Sequence, residues 1–154
     1  MTNTTSTTNI RALTTKKLFS RQTTVSVDIG APATQIWKLL TDADQFTAWN
    51  STIVELKGSI APGGRIQLRS TLAPDRTFKL KVKEFEPDQR LAWGDAMGTR
   101  TYTLERLAEN QTRFTMTEII GGPVFPLFAS MIPSFDESFN QFAADLKSAA
   151  EGNR

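Results

Sequence analysis

From Thr23 the chain alternates strictly, with Val25, Val27 and Ile29 on one side and Thr24, Ser26 and Asp28 on the other, which is the pattern of a half-buried strand. Gly30, Ala31 and Pro32 end it. Pro32 suits the first turn of a helix in which Ala33, Ile36, Trp37 and Leu40 recur at helical spacing. A second short helix is predicted over residues 44–49. After Asn50, turn signals recur at Pro62-Gly63-Gly64, Pro74-Asp75, Pro87-Asp88, Met97-Gly98, Asn110-Gln111 and Gly121-Gly122, and they cut the chain into six strand-length pieces. Beyond Pro126, the residues Phe128, Met131, Phe135, Phe139, Phe142 and Leu146 follow three-four spacing. They form the apolar stripe of one long helix that Pro133 kinks or starts.

One strand, two short helices, six consecutive strands and a long C-terminal helix indicate an α+β fold. A seven-stranded antiparallel sheet needs one face covered, and the last helix is the only element large enough to cover it. The sheet must therefore curl around that helix. Residues 1–22 are rich in Thr and Asn, with scattered Ile10, Leu13, Leu18 and Phe19, and read as a flexible N-terminal tail before a domain of residues 23–151. Docking of residues 10–19 as a helix or a strand extension is the alternative.

Composition narrows the chemistry. The 154 residues suit one domain, and a chain of this length buries roughly 70% of its unfolded surface without disulfides. With no histidine and no cysteine, Ser-His-Asp and Cys-His nucleophile systems, zinc fingers and His-ligated metals are excluded, so no metal and no cofactor is expected. Proton chemistry is left to Asp, Glu, Lys, Tyr or water. The net charge of +2 gives no reason to expect a nucleic-acid partner. No apolar run reaches the roughly 20 residues of a membrane span, and the first residues lack the apolar stretch of a signal peptide. A cytoplasmic monomer or homodimer is the expectation. Gly63-Gly64 and Gly121-Gly122 occur outside any phosphate-binding motif.

The segments VSVDIGAPATQIWKLLTDADQFTAWN, RLAWGD and TRFTMTEIIGG, followed by the Phe-rich helix, resemble the SRPBCC superfamily of START-like and Bet v 1-like proteins. The ordered set Pro32, Trp37, Asp42, Trp49-Asn50, Trp93 and Glu118 carries the resemblance most specifically. It is similar above all to bacterial polyketide cyclase/dehydrase-like and lipid-transport-like members. The resemblance implies a helix-grip fold with a hydrophobic cavity between the sheet and the C-terminal helix.

Hairpin register orders the face that would line such a cavity, because one-face residues of paired strands oppose each other at fixed offsets. A turn at Met97-Gly98 sets Leu91 across from Leu104, Trp93 across from Tyr102 and Asp95 across from Arg100. The turn before Thr112 sets Leu104 against Phe114, Tyr102 against Met116 and Arg100 against Glu118. The face then runs from apolar through aromatic to ionic. Leu68 and Leu80 extend the lining from the preceding hairpin, Phe85 breaks the alternation as a bulge would, and Phe128, Met131, Phe135 and Phe139 close it from the helix.

Three functions fit. The first is binding of a small hydrophobic ligand, lipid-like or aromatic, with one polar end held by Asp95, Arg100, Tyr102 and Glu118. The second is a polyketide cyclase or dehydratase in which Glu118, Asp95, Tyr102 and Arg100 move protons, although no side chain here titrates near neutrality unshifted. The third is a regulatory or stress-related protein that binds a partner chain. The absence of histidine and cysteine favours the binder.

Overall fold

Residues 20–29 form a strand whose alternate residues Arg21, Thr23, Val25, Val27 and Ile29 are buried, as the sequence pattern requires. A computed structural model describes residues 10–152. Its elements are β1 (Leu13–Lys16), β2 (Ser20–Ile29), α1 (Ala33–Thr41), α2 (Phe46–Trp49), β3 (Ile53–Gly58), β4 (Arg65–Ser70), β5 (Phe78–Glu86), β6 (Arg90–Gly94), β7 (Gly98–Ala108), β8 (Gln111–Gly121), α3 (Phe125–Phe128) and α4 (Asp136–Ala150). The strands form one antiparallel sheet in the order β1-β2-β8-β7-β6-β5-β4-β3. Long-range closure of β2 on β8 places the first long strand beside the last, and α4 lies across the resulting concave face. The α+β helix-grip architecture is as expected.

The sheet has eight strands and not seven. The added strand is β1, in the segment read as tail: Leu13–Lys16 pairs with Arg21–Thr24. Its side chains bury little, and it corresponds to the strand extension that is the alternative reading of residues 10–19. It is held by backbone pairing and by α4, where Asn140 Oδ1 accepts from the Ala12 N–H and Asp136 Oδ1 accepts from the Thr14 hydroxyl, both at 2.6 Å. The expectation for residues 1–9 lies outside the described residues.

The C-terminal helix is also shorter than its stripe suggests. Residues 125–131 form one turn of α-helix and one 3₁₀ turn, and α4 starts only at Asp136. Pro133 is the cause, because a proline drives the residue before it out of the helical region, and Ile132 sits at φ −89°, ψ 120°. Phe139, Phe142, Ala143, Leu146 and Ala150 form the buried face of α4. Phe128 and Met131 are off that face and exposed, Met131 at 76%.

The bulge expected near Phe85 lies in β5 between Val82 and Glu84. One extra residue turns Phe85 to the inner side, where its ring meets Trp37 edge-on at 5.1 Å.

Candidate functional site

Strands β6, β7 and β8 bring Trp93, Arg100, Tyr102, Met116 and Glu118 to one concave face under α4. The β7/β8 register is as expected, with Arg100 opposite Glu118, Tyr102 opposite Met116 and Leu104 opposite Phe114. The β6/β7 register is not. Trp93 lies across from Arg100 and Leu91 across from Tyr102, one layer away from the expected pairs. The faces survive because the shift is two residues, a whole period of the pleat.

Asp95 explains the shift and leaves the site. Its carboxylate accepts from the backbone N–H groups of Met97 and Gly98 at 2.8 and 3.0 Å, and its own N–H donates to the Gly98 carbonyl. The two-residue loop is thus Ala96-Met97 and not Met97-Gly98. Asp95 closes a turn on the rim, so the expected ionic layer of three residues contains only Arg100 and Glu118.

Those two form an ion pair, Arg100 Nε to Glu118 Oε1 at 3.0 Å, with side chains only 14% and 17% exposed. The guanidinium also lies over the Phe139 and Phe142 rings, 5.1 and 5.9 Å from their centroids. Burial alone would make Arg100 easier to deprotonate, but the charge of Glu118 and the neighbouring Tyr102 outweigh it and raise its pKa. Arg100 is a permanent cation in a largely apolar setting.

Tyr102 is 1% exposed, and its hydroxyl has no hydrogen-bond partner among the described residues. The Arg100 guanidinium is close enough to draw the phenol's pKa down by its charge and by a weak, poorly aligned N–H contact, which falls short of a well-formed hydrogen bond. Burial pushes the phenol up to about 12, against the opposing pull of Arg100, so Tyr102 stays protonated and can donate. A buried hydroxyl left unpaired costs about 1–3 kcal/mol. Trp49 Nε1 and Asn50 Nδ2 are two more buried donors without partners. Trp49 meets Phe142 edge-on at 5.8 Å, and Tyr102 stacks on the same ring at 5.7 Å. Two unpaired donors therefore flank Phe142.

The sequence places Trp49-Asn50 in the family resemblance and Phe142 in the apolar stripe of the last helix, and none of the three among the candidate site residues. An unpaired donor is a property of three-dimensional surroundings, and only the Trp-Asn dipeptide hinted at it. Phe46, Trp93, Tyr102, Phe114 and Phe142 make ring contacts that fill the space between sheet and α4. Of the other singled-out residues, Phe139 is buried and stacked on Phe135 at 5.9 Å. Leu68 is buried and Leu80 half-buried, on β4 and β5 towards the far edge. Phe128 and Met131 face outward.

An open groove of about 470 Å³ lies where β1, the end of β2 and the segment before α4 meet. Its lining includes none of the residues singled out from the sequence. Arg21 sits at its inner end, donating to the carbonyls of Ile132 and Pro133 at 3.1 and 2.8 Å and lying 4.7 Å over the Phe135 ring. Among the described residues, no group of three or more carboxylate side chains is arranged to hold a metal ion, and no helix is long and apolar enough to cross a membrane.

A family model described as polyketide cyclase / dehydrase and lipid transport matches residues 20–151. No curated protein matches the sequence. Similar solved structures include a conserved protein of unknown function from Enterococcus faecalis, at 16% identity and TM-score 0.67, covering 91% of this chain and 77% of that one. A START superfamily protein from Mycobacterium smegmatis matches at 14% identity and TM-score 0.64, covering 86% and 99%. A Thalictrum norcoclaurine synthase point mutant in complex with a transition-state analogue matches at 9% identity and TM-score 0.64, covering 88% and 97%. At these identities the likeness is one of fold.

Proposed function

Since the chain belongs to the polyketide cyclase/dehydrase and lipid transport family of the SRPBCC superfamily, a family of ligand-binding domains, we propose that it binds a small hydrophobic ligand, lipid-like or aromatic, between the sheet and α4. The ligand's polar end is an acceptor oxygen. The observation that carries this reading is the unpaired Tyr102 hydroxyl, buried beside the Arg100–Glu118 pair in an otherwise aromatic layer. A pocket of mostly apolar walls with a few convergent polar groups is the usual form of a small-molecule site. The rings of Tyr102 and Trp49 both pack on Phe142, so displacement of that ring on loading would open space beside the two residues that carry the unpaired donors.

Binding is favoured over turnover by the state of the four candidate groups. Asp95 is committed to its turn, Arg100 holds its proton, and Tyr102 with a pKa near 12 is a donor and not a base. Glu118 is left as the sole carboxylate on the concave face of these strands, and Arg100 occupies it.

Native mass spectrometry of the purified protein, followed by solvent extraction, tests the reading. A co-purifying apolar compound with a carbonyl, carboxyl or hydroxyl oxygen is expected, and Tyr102→Phe should weaken its binding about tenfold, the equivalent of about 1.4 kcal/mol. Failure of the native protein to retain any compound, with no thermal shift from fatty acids or aromatic polyketides, would contradict it.

A further inference from the structure

The groove beside β1 is built partly from residues that the family match does not include. Thr14, Lys16 and Lys17 line it, and all three precede the matched span of residues 20–151. Strand alternation places Ala12, Thr14 and Lys16 on the α4 side of β1, and the pairing of β1 with β2 sets Lys16 directly opposite Arg21. Two like charges directly opposed on one face of a hairpin destabilise it. Nothing in the fold requires a lysine at that position, and the site gains sense when an anion lies between the two cations.

The remaining chemistry agrees. Lys16 and Lys17 make no ion pair among the described residues. Arg21 donates one N–H from each terminal nitrogen to a backbone carbonyl, which fixes its positive charge in place in the groove. Asp136, the one carboxylate in the lining, accepts from the Thr14 hydroxyl, and its charge with that of Glu118 acts on Arg21, which leaves Lys16 and Lys17 as the lining cations without a carboxylate partner among the described residues. The opposite wall is apolar, with Phe125 buried and Ile132 half-buried. The volume of about 470 Å³ falls within the roughly 300–1,000 Å³ typical of small-molecule sites.

We propose that this groove is a second binding site, for an amphipathic anion whose carboxylate or phosphate sits between Lys16, Lys17 and Arg21 and whose alkyl chain lies along Phe125 and Ile132. Its lining shares no residue with the concave-face site, although Arg21 is close enough to feel the charge of Glu118. Such an anion comes from a free fatty acid or from a lipid headgroup. Leu18, Phe19, Leu127, Phe128 and Met131 are exposed beside the groove, where a lipid surface would meet them.

Decanoate below its micellar concentration, added to the isotope-labelled full chain, is the probe. Amide signals of Lys16, Lys17 and Ile132 should shift, n-decanol should not reproduce the shifts, and added salt should weaken binding. Lys16→Gln/Lys17→Gln should lower decanoate affinity about tenfold, while Lys16→Arg/Lys17→Arg should restore it. Sedimentation with phosphatidylglycerol vesicles but not with phosphatidylcholine vesicles would identify the headgroup as the source; with the decanoate shifts and no sedimentation, the source is the free amphiphile. Unchanged affinity in the glutamine variant, or shifts confined to Trp93, Tyr102 and Phe142, would overturn the groove site and leave the concave-face reading standing. Undiminished retention of the co-purified compound in Tyr102→Phe, with decanoate shifts intact at Lys16, would do the reverse.

Discussion

Tyr102 is the only tyrosine in the chain, so its ionisation can be followed by tyrosinate absorbance without overlap. Burial raises the folded phenol from 10.0 to about 12. Below pH 10 the folded and unfolded states both hold the proton. Between pH 10 and about 12 the unfolded chain releases a proton that the folded chain keeps, so stability falls with rising pH and levels off above that window. The native protein should therefore titrate near 12 and the denatured protein near 10, and chemical denaturation should show a matching loss of stability that Tyr102→Phe removes. A native titration near 10 would mean that the hydroxyl is not buried. At this scale the sequence was partly legible. Alternation identified Arg100, Tyr102, Met116 and Glu118 as inward, because a strand of period two leaves no third option. It could not say that Tyr102 Oη, Trp49 Nε1 and Asn50 Nδ2 lack partners, since hydrogen-bond accounting needs every neighbour in place.

The β6–β7 hairpin explains how one element moved a residue out of the site. Its two-residue loop is set by the Asp95 carboxylate, which accepts two backbone N–H groups, and by close approach of the strands at Gly94, where a Cβ would lie 2.2 Å from the Gly98 carbonyl oxygen. Counting Gly98 as a turn residue put the loop too far along the chain. The β7–β8 turn is Glu109-Asn110, one residue before the Asn110-Gln111 signal, and the expected pairs form because a bulge between Arg106 and Ala108 takes up the difference. Asp95→Ala should lower stability by about 0.5–2 kcal/mol through the lost turn bonds and leave ligand affinity unchanged, as read by thermal unfolding and titration. A drop in affinity without a drop in stability would return Asp95 to the site. The same limit hid β1 and shortened α4. Four residues held by backbone pairing and two hydrogen bonds to α4 look like a Thr-rich tail in sequence, and a three-four stripe continues through Pro133 although the helix does not.

For the whole molecule, an eight-stranded sheet gripping one helix carries the two proposed ligand sites. The first is the aromatic layer under α4, which ends at a largely buried ion pair and an unpaired phenol. The second is the cationic groove that β1 adds at the edge. The buried pair is poor evidence for stability, because desolvation of both charges offsets their attraction. Its persistence in an apolar layer is better explained by what it orients. On the proposed reading, Arg100, Glu118 and Tyr102 orient the polar end of a ligand. The most direct measurement is a crystal structure of the protein carrying its co-purified compound. The ligand's acceptor oxygen is expected within about 2.7–3.2 Å of Tyr102 Oη or Trp49 Nε1, with Phe142 displaced from its stack. A compound bound elsewhere, with Phe142 unmoved and the Tyr102 hydroxyl still unpaired, would contradict the assignment.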